Sequence, residues 1–158
     1  GVQTCALPIY GDADVGCVAF PAPRKGLKVE TFKKDTLHII AAPGHPLAKK
    51  NSVALADLAQ FKIVSLAPEM PTRQGLDKIL LTRGLKIQPK MEFDNVETLK
   101  HAVEIDAGVA FLPKSVVASE LAAGTLVTVP HSGPEIARPL GVVSRASRVV
   151  SQIGRAHV

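Results

Sequence analysis

The chain has 158 residues, of which 46% are hydrophobic and 4% aromatic, and carries a formal charge of +5. That length and apolar content support one sizeable core and exclude a disordered chain, and no apolar run approaches the length of a membrane span. The basic excess is too mild to count as a nucleic-acid footprint, and two cysteines exclude a disulfide framework, which fits a reducing compartment.

The two ends read as foreign to a natural gene. Residues 153–158, IGRAHV, can be encoded as ATC GGA AGA GCA CAC GTC. The reverse complement of that DNA, read one base in, gives residues 4–8, TCALP, with AT left over to begin Ile9. One DNA word read from both strands therefore writes both tails, and GVQTCALPI and IGRAHV resemble translated sequencing-adapter read-through. Residues 1–9 and 153–158 are thus expected to be adapter-derived, flanking an internal fragment of a longer gene over residues 10–152. Setting Arg155 aside lowers the charge by one, and setting Cys5 aside leaves Cys17 alone in an apolar segment, where a buried structural thiol is expected.

In chain order, residues 13–20 read as a short buried strand after a Gly11-Asp12 turn, followed by a basic, proline-containing surface loop. Residues 27–32 alternate without a clean face, whereas residues 36–42, TLHIIAA, make a convincing strand. Pro43-Gly44-His45-Pro46 must turn. Residues 52–58 read as a short capped helix with Leu55 and Leu58 on one face, and residues 61–66 as a buried strand. A second helix begins at Pro71, whose missing N–H costs nothing in a first turn. Leu76, Ile79 and Leu80 supply its stripe, and Gly84 takes the left-handed position at its end. Residues 87–93 form the next strand.

The most informative stretch is EFDNVETLKHAVEIDAGVAFLP, residues 92–113. Asp94 and Glu97 stand at the N-cap and N3 spacing of a helix starting at about Asn95. Val96, Leu99, Ala102 and Val103 recur at helical spacing, with Glu97, Lys100, His101 and Glu104 on a wet face. Asp106 to Gly108 end the helix and residues 109–112 enter a sheet. Beyond Pro113, residues 115–122 read as a helix closed by Gly124, residues 125–129 and 137–144 as strands, and Arg145 onward as a helix. The alternation of strands and helices favours parallel sheets, and two long crossings, near Pro43 and over residues 130–134, suggest a chain that enters a second lobe and returns. Such a fold binds its ligand between lobes.

The segments GDADVGCVAF, TLHIIAAPGHPLA, SVALADLAQFKIVSL, TRQGLDKILLTRG and VETLKHAVEIDAGVAFLP occur in an order and spacing that resemble the effector-binding domain of LysR-type transcriptional regulators. The resemblance covers about residues 11–148 and departs from the family's glycine-x-glycine at Asp106-Ala107-Gly108, which keeps only the second glycine. It implies an α/β, two-lobed fold similar to type 2 periplasmic binding proteins, with lobe one (residues 10–42 and 131–152) incomplete and lobe two over residues 43–130. Lobe one would lack strands and expose sheet edges. It also implies a cytoplasmic parent, a homodimer or homotetramer without membrane contact, that binds a small anionic effector and touches DNA only through a helix-turn-helix absent here.

Under that resemblance the helix starts near Pro71 and Asp94 face the ligand, since free N–H groups and partial positive charge suit an anion. Thr72 and Arg73 are the leading effector contacts, a hydroxyl beside a planar charged fork, with Pro71, Asn95, Asp94 and Val18 as further candidates. Asp94 and Asn95 read more readily as caps. No catalytic residue, metal site or cofactor is expected. His38, His45, His101 and His131 have no Ser, Cys or acidic partner at a motif spacing, and no Gly-rich phosphate loop follows a strand. The alternative on the same fold is a type 2 solute-binding protein of a transporter.

Overall fold

A computed structural model describes residues 15–146. The adapter-like tails and the helix expected beyond Arg145 lie outside those residues, except that Arg145 itself closes the last strand. The chain divides into two compact units: Asp35–Arg138 in one, and the segments up to Lys34 and from Pro139 in the other.

The smaller unit contains β1 (Val15–Ala19), the first half of β2 (Leu27–Ala41) and most of β9 (Ile136–Arg145). β1 pairs antiparallel with β9, from Val15 opposite Ser144 to Ala19 opposite Leu140, and β9 lies between β1 and β2. The segments read separately in the sequence over residues 27–32 and 36–42 join in one 15-residue strand that ends at Ala41. Its first half lacks a clean face because most of it is exposed, with Phe32 59% accessible. β1 corrects the expectation of a buried strand: Val15 and Cys17 are exposed and Val18 is half-buried, so the lone thiol is not a core group.

The larger unit is a mixed α/β assembly. The second half of β2 pairs antiparallel with β6 (Ala110–Pro113) and with β7 (Val127–Val129). β4 (Val64–Leu66) pairs parallel with β5 (Met91–Phe93), and a parallel bridge from Ile63 to Val109 brings β6 beside β4. β3 (Val53–Ala54) pairs parallel with β8 (His131–Ser132). The expectation of parallel sheets therefore holds only locally, because β2 runs against β6 and β7. The expected capped helix over residues 52–58 is instead β3 followed by a 3-10 helix, Leu55–Gln60, whose N-cap is Ala54 with no side-chain cap. Ser52 supplies nothing there because its neighbour Val53 is drawn into the β3 ladder by Pro130, whose carbonyl accepts the Val53 N–H at 3.0 Å.

Three α-helices complete the unit: α1 (Pro71–Thr82), α2 (Val96–Glu104) and α3 (Ala118–Ala123). Gly84 after α1 and Gly124 after α3 adopt the positive φ values of 77° and 75° that favour glycine at helix ends. A core of Ile40, Val64, Leu99, Val103, Leu112 and Leu126 joins α2 to the strands. The HPLA motif has a local explanation: His45 caps the 3-10 helix Pro46–Lys49, its Nδ1 accepting the Leu47 N–H at 3.1 Å, while its ring packs 5.6 Å from Phe61. At the start of β6, a Cβ on Gly108 would sit 2.7 Å from the Lys62 carbonyl oxygen, so the retained glycine marks the close approach of β6 to β4. Where the family pattern has its first glycine, Asp106 occupies φ 59°, a conformation Asp tolerates better than most side chains.

Candidate functional site

Because β4 and β5 are parallel neighbours, both release the chain at the same edge of the sheet, and each feeds a helix there. Leu66 lies opposite Phe93, and the Ala67 N–H donates to the Phe93 carbonyl at 2.8 Å, which holds the two exits together. The starts of α1 and α2 are therefore brought side by side at the carboxyl ends of parallel strands, the edge at which open α/β sheets take their ligands. Helix starts there present unpaired N–H groups and the positive end of the helix dipole.

The two starts differ. α2 is capped by Asn95, whose Oδ1 accepts the Thr98 N–H at 2.8 Å. This corrects the assignment of the cap to Asp94; Asp94 instead accepts from Asn95 Nδ2 at 2.9 Å and so fixes the orientation of the capping amide. The one-residue shift follows from Asn95 retaining an extended backbone, φ −139° and ψ 154°, as an N-cap must. α1 has Met70 at its N-cap, and that side chain makes no capping bond. Pro71 occupies the first turn without an N–H to satisfy, and Thr72 follows it, half-buried.

Arg73 is buried, and its guanidinium is engaged within the protein. Nε donates to both carboxylate oxygens of Asp77 at 2.9 Å, and Nη1 donates to Glu92 Oε1 and to the Leu66 carbonyl, each at 2.9 Å. Burial alone would lower its pKa, but the hydrogen bonds to Glu92 and Asp77 outweigh it and raise the value. Arg73 thereby ties the first turn of α1 to the ends of β4 and β5, and it sets where Thr72 stands.

A second arginine lies beside Thr72. Arg138, at the end of the larger unit, has a side chain 14% exposed; its Nε donates to Thr72 Oγ1 at 3.3 Å, and Nη1 stands 3.8 Å from Asp35 Oδ2. Burial pushes its pKa below the ordinary value, with the Asp35 carboxylate opposing. Sequence reasoning passed over Arg138; the signal was its place in strand period between Ile136 and Leu140, an inward register for a charged residue. Pro71, Thr72, Arg73, Asp94 and Asn95 are thus gathered at one edge of the larger unit, whereas Val18 belongs to the smaller one.

The wet face assigned to α2 also needs correction. Lys100 is only 5% exposed, and its ammonium meets Glu120 at 2.8 Å, Glu97 at 3.0 Å and the Val116 carbonyl at 3.4 Å. α3 covers that flank of α2, and Glu120 supplies the charge that makes a buried lysine tolerable. Among the described residues, no three His, Cys, Asp or Glu side chains are grouped so as to hold a metal ion, and no helix is long and apolar enough to cross a membrane.

Comparison with known proteins places these features in a family. The family described as LysR substrate binding domain matches residues 8–156. A "Probable RuBisCO transcriptional regulator" of Synechocystis sp. is 30% identical over 156 residues, 94% of this chain and 45% of that protein. A protein of the same name from Cyanophora paradoxa is 28% identical, over 92% of this chain and 47% of its own length. The chain thus spans about half the length of the curated relatives it matches. Among solved structures, the CcmR regulatory domain of Synechocystis PCC6803 in complex with 2-PG superposes with a TM-score of 0.81 at 22% identity, covering 94% of this chain and 71% of that one. The effector binding domain of QuiR in complex with shikimate gives 0.80 at 19%, covering 92% and 68%. At these identities the structural likeness establishes the fold, which is the type 2 periplasmic-binding-protein-like fold expected from the sequence.

Proposed function

The chain belongs to the LysR substrate-binding domain family, and from that membership we propose that it is the effector-sensing part of a transcriptional regulator, binding a small anionic metabolite at the edge where α1 and α2 begin. The observation that carries this reading is the juxtaposition of two helix starts at the ends of parallel strands, one of them without a side-chain cap. Thr72 and Asn95 are the central contacts, with Pro71 and Asp94 shaping the two turns and Arg73 holding α1 in register. The larger unit corresponds in this reading to lobe two and the smaller, which holds Val18, to lobe one.

A binding role, without catalysis, accounts for all of these features. The relatives named above are transcriptional regulators, which favours a regulator over the solute-binding protein of a transporter. The remaining elements of the proposal are a cytoplasmic parent that dimerises or tetramerises and contacts DNA through a separate helix-turn-helix, its oligomer arrangement shifted by the effector. Titration calorimetry of the chain with 2-PG, shikimate and inorganic phosphate tests the binding step. Saturable binding that Thr72→Val and Asn95→Ala each weaken is expected; a panel with no binder, or binding indifferent to both substitutions, refutes the site.

A further inference from the structure

The two arginines near α1 form a contrast that extends the proposed function and rests on it. Arg73 has the contacts of a structural ion pair: two carboxylates and a carbonyl, all at 2.9 Å. Arg138 does not. Of the five N–H donors of a guanidinium, only its Nε has an acceptor within hydrogen-bond distance among the described residues, and that bond is long, 3.3 Å to Thr72 Oγ1. The nearest carboxylate, Asp35, stands 3.8 Å from Nη1, too far for a hydrogen bond. Asp35 does not depend on Arg138 either. Its Oδ1 accepts the Thr36 N–H at 2.9 Å and its Oδ2 accepts the Ser115 hydroxyl at 3.0 Å.

A side chain only 14% exposed has given up most of its hydration, and its one ion-pair partner, Asp35 at 3.8 Å, leaves the fork without a charge-assisted hydrogen bond. The group best able to supply such bonds is an oxyanion, because two oxygens of one carboxylate or phosphate match the planar fork. Thr72 strengthens the match. Its oxygen accepts from Arg138 Nε, which leaves its own hydrogen to donate to the same ligand. Thr72 also lies in the uncapped first turn of α1, whose N–H groups reinforce the preference for negative charge.

We propose that Arg138 is the oxyanion anchor of the effector site, its fork binding a carboxylate or phosphate group of the ligand with the Thr72 hydroxyl beside it. Asp35 is then a competitor, a nearby negative charge that the ligand must outbid and that keeps weak anions off.

The test is calorimetry on the whole chain with inorganic phosphate, malonate and 2-PG, the first two separating phosphate from carboxylate recognition. Arg138→Gln is expected to weaken every oxyanion that the wild type binds by about tenfold or more, and Arg138→Lys to recover only part of the loss, since an ammonium restores charge without the fork. Asp35→Asn is expected to tighten the same ligands by about threefold by removing the opposing charge. Because Arg138 has so few partners, Arg138→Gln should melt within about 2 °C of the wild type without ligand. Should that variant fail to fold, Asp35→Asn still decides the matter. Retention of affinity within about twofold in Arg138→Gln, or weaker binding in Asp35→Asn, overturns the anchor while leaving the effector reading standing. A wild type that binds no ligand in the panel overturns both.

Discussion

Substituting Arg73 by Met separates a structural arginine from a ligand-contacting one. Methionine keeps much of the side-chain length and removes all four of the hydrogen bonds made to Asp77, Glu92 and Leu66. The losses are unequal. The side chains of Asp77 and Glu92 are 41% and 42% exposed, so each carboxylate rehydrates and its share is about 0.5–1 kcal/mol. Leu66 is 5% exposed, and its carbonyl left without the Nη1 donor costs about 1–3 kcal/mol. The sum is about 2–5 kcal/mol, which for a unit of this size lowers the melting temperature by roughly 10–25 °C. Thermal unfolding followed by circular dichroism reads it directly. A variant that melts within about 2 °C of the wild type, yet no longer binds any ligand the wild type binds, would refute the tether and return Arg73 to the role of effector contact.

Three further outcomes follow from the same geometry. Gly108→Ala places a Cβ 2.7 Å from the Lys62 carbonyl oxygen and forces β6 away from β4, at a cost of about 1–3 kcal/mol in chemical denaturation; Gly44→Ala, where a Cβ meets nothing within 4 Å, should be nearly neutral. The Lys100–Glu120 pair makes stability pH-dependent. Its hydrogen bond from Lys100 holds the Glu120 carboxyl below its ordinary 4.5, so that contribution is present above pH 4.5 and lost as pH falls through the depressed folded value. The ammonium, pushed down by burial but raised more by Glu120 and Glu97, keeps its contribution below 10.5 and loses it only as pH rises through the elevated folded value. Lys100→Met should therefore differ most from the wild type between those limits and converge with it in acid, as denaturation at several pH values will show. Asn95→Ala removes the α2 cap and should cost about 1 kcal/mol, whereas Asp94→Ala should cost less, the reverse of what the sequence spacing implies.

Much of the fold was legible because local signals carry it. Pro71 in a first turn and Gly84 and Gly124 after helices act through their own backbones, and the structure shows each in that role. The α2 stripe was readable for the same reason: Leu99, Ala102 and Val103 share a face whatever lies opposite. Segments whose form depends on a distant partner were not. The helix expected over residues 52–58 opens instead as β3 because Pro130 and His131 pair with Val53, and β2 runs through residues 27–41 because β9, β6 and β7 flank it. Lys100 looked wet on α2 alone, and only α3, 20 residues on, supplies the Glu120 that lets it be buried.

The candidate site divides along the same line. By itself the sequence determined the family and the two helix starts, and it offered the Thr72 hydroxyl as a candidate contact, since these rest on motif order and on the chemistry of proline and the residues around it. It could not say which arginine serves that hydroxyl. Arg73 is adjacent in sequence, but one helical turn brings it to Asp77 and the parallel pairing of β4 with β5 brings it to Glu92. Arg138 is 66 residues away and reaches Thr72 only through the folded chain. Tertiary structure decides such a question because a guanidinium's role depends on which acceptors surround it, and those come from strands and helices far apart in the sequence.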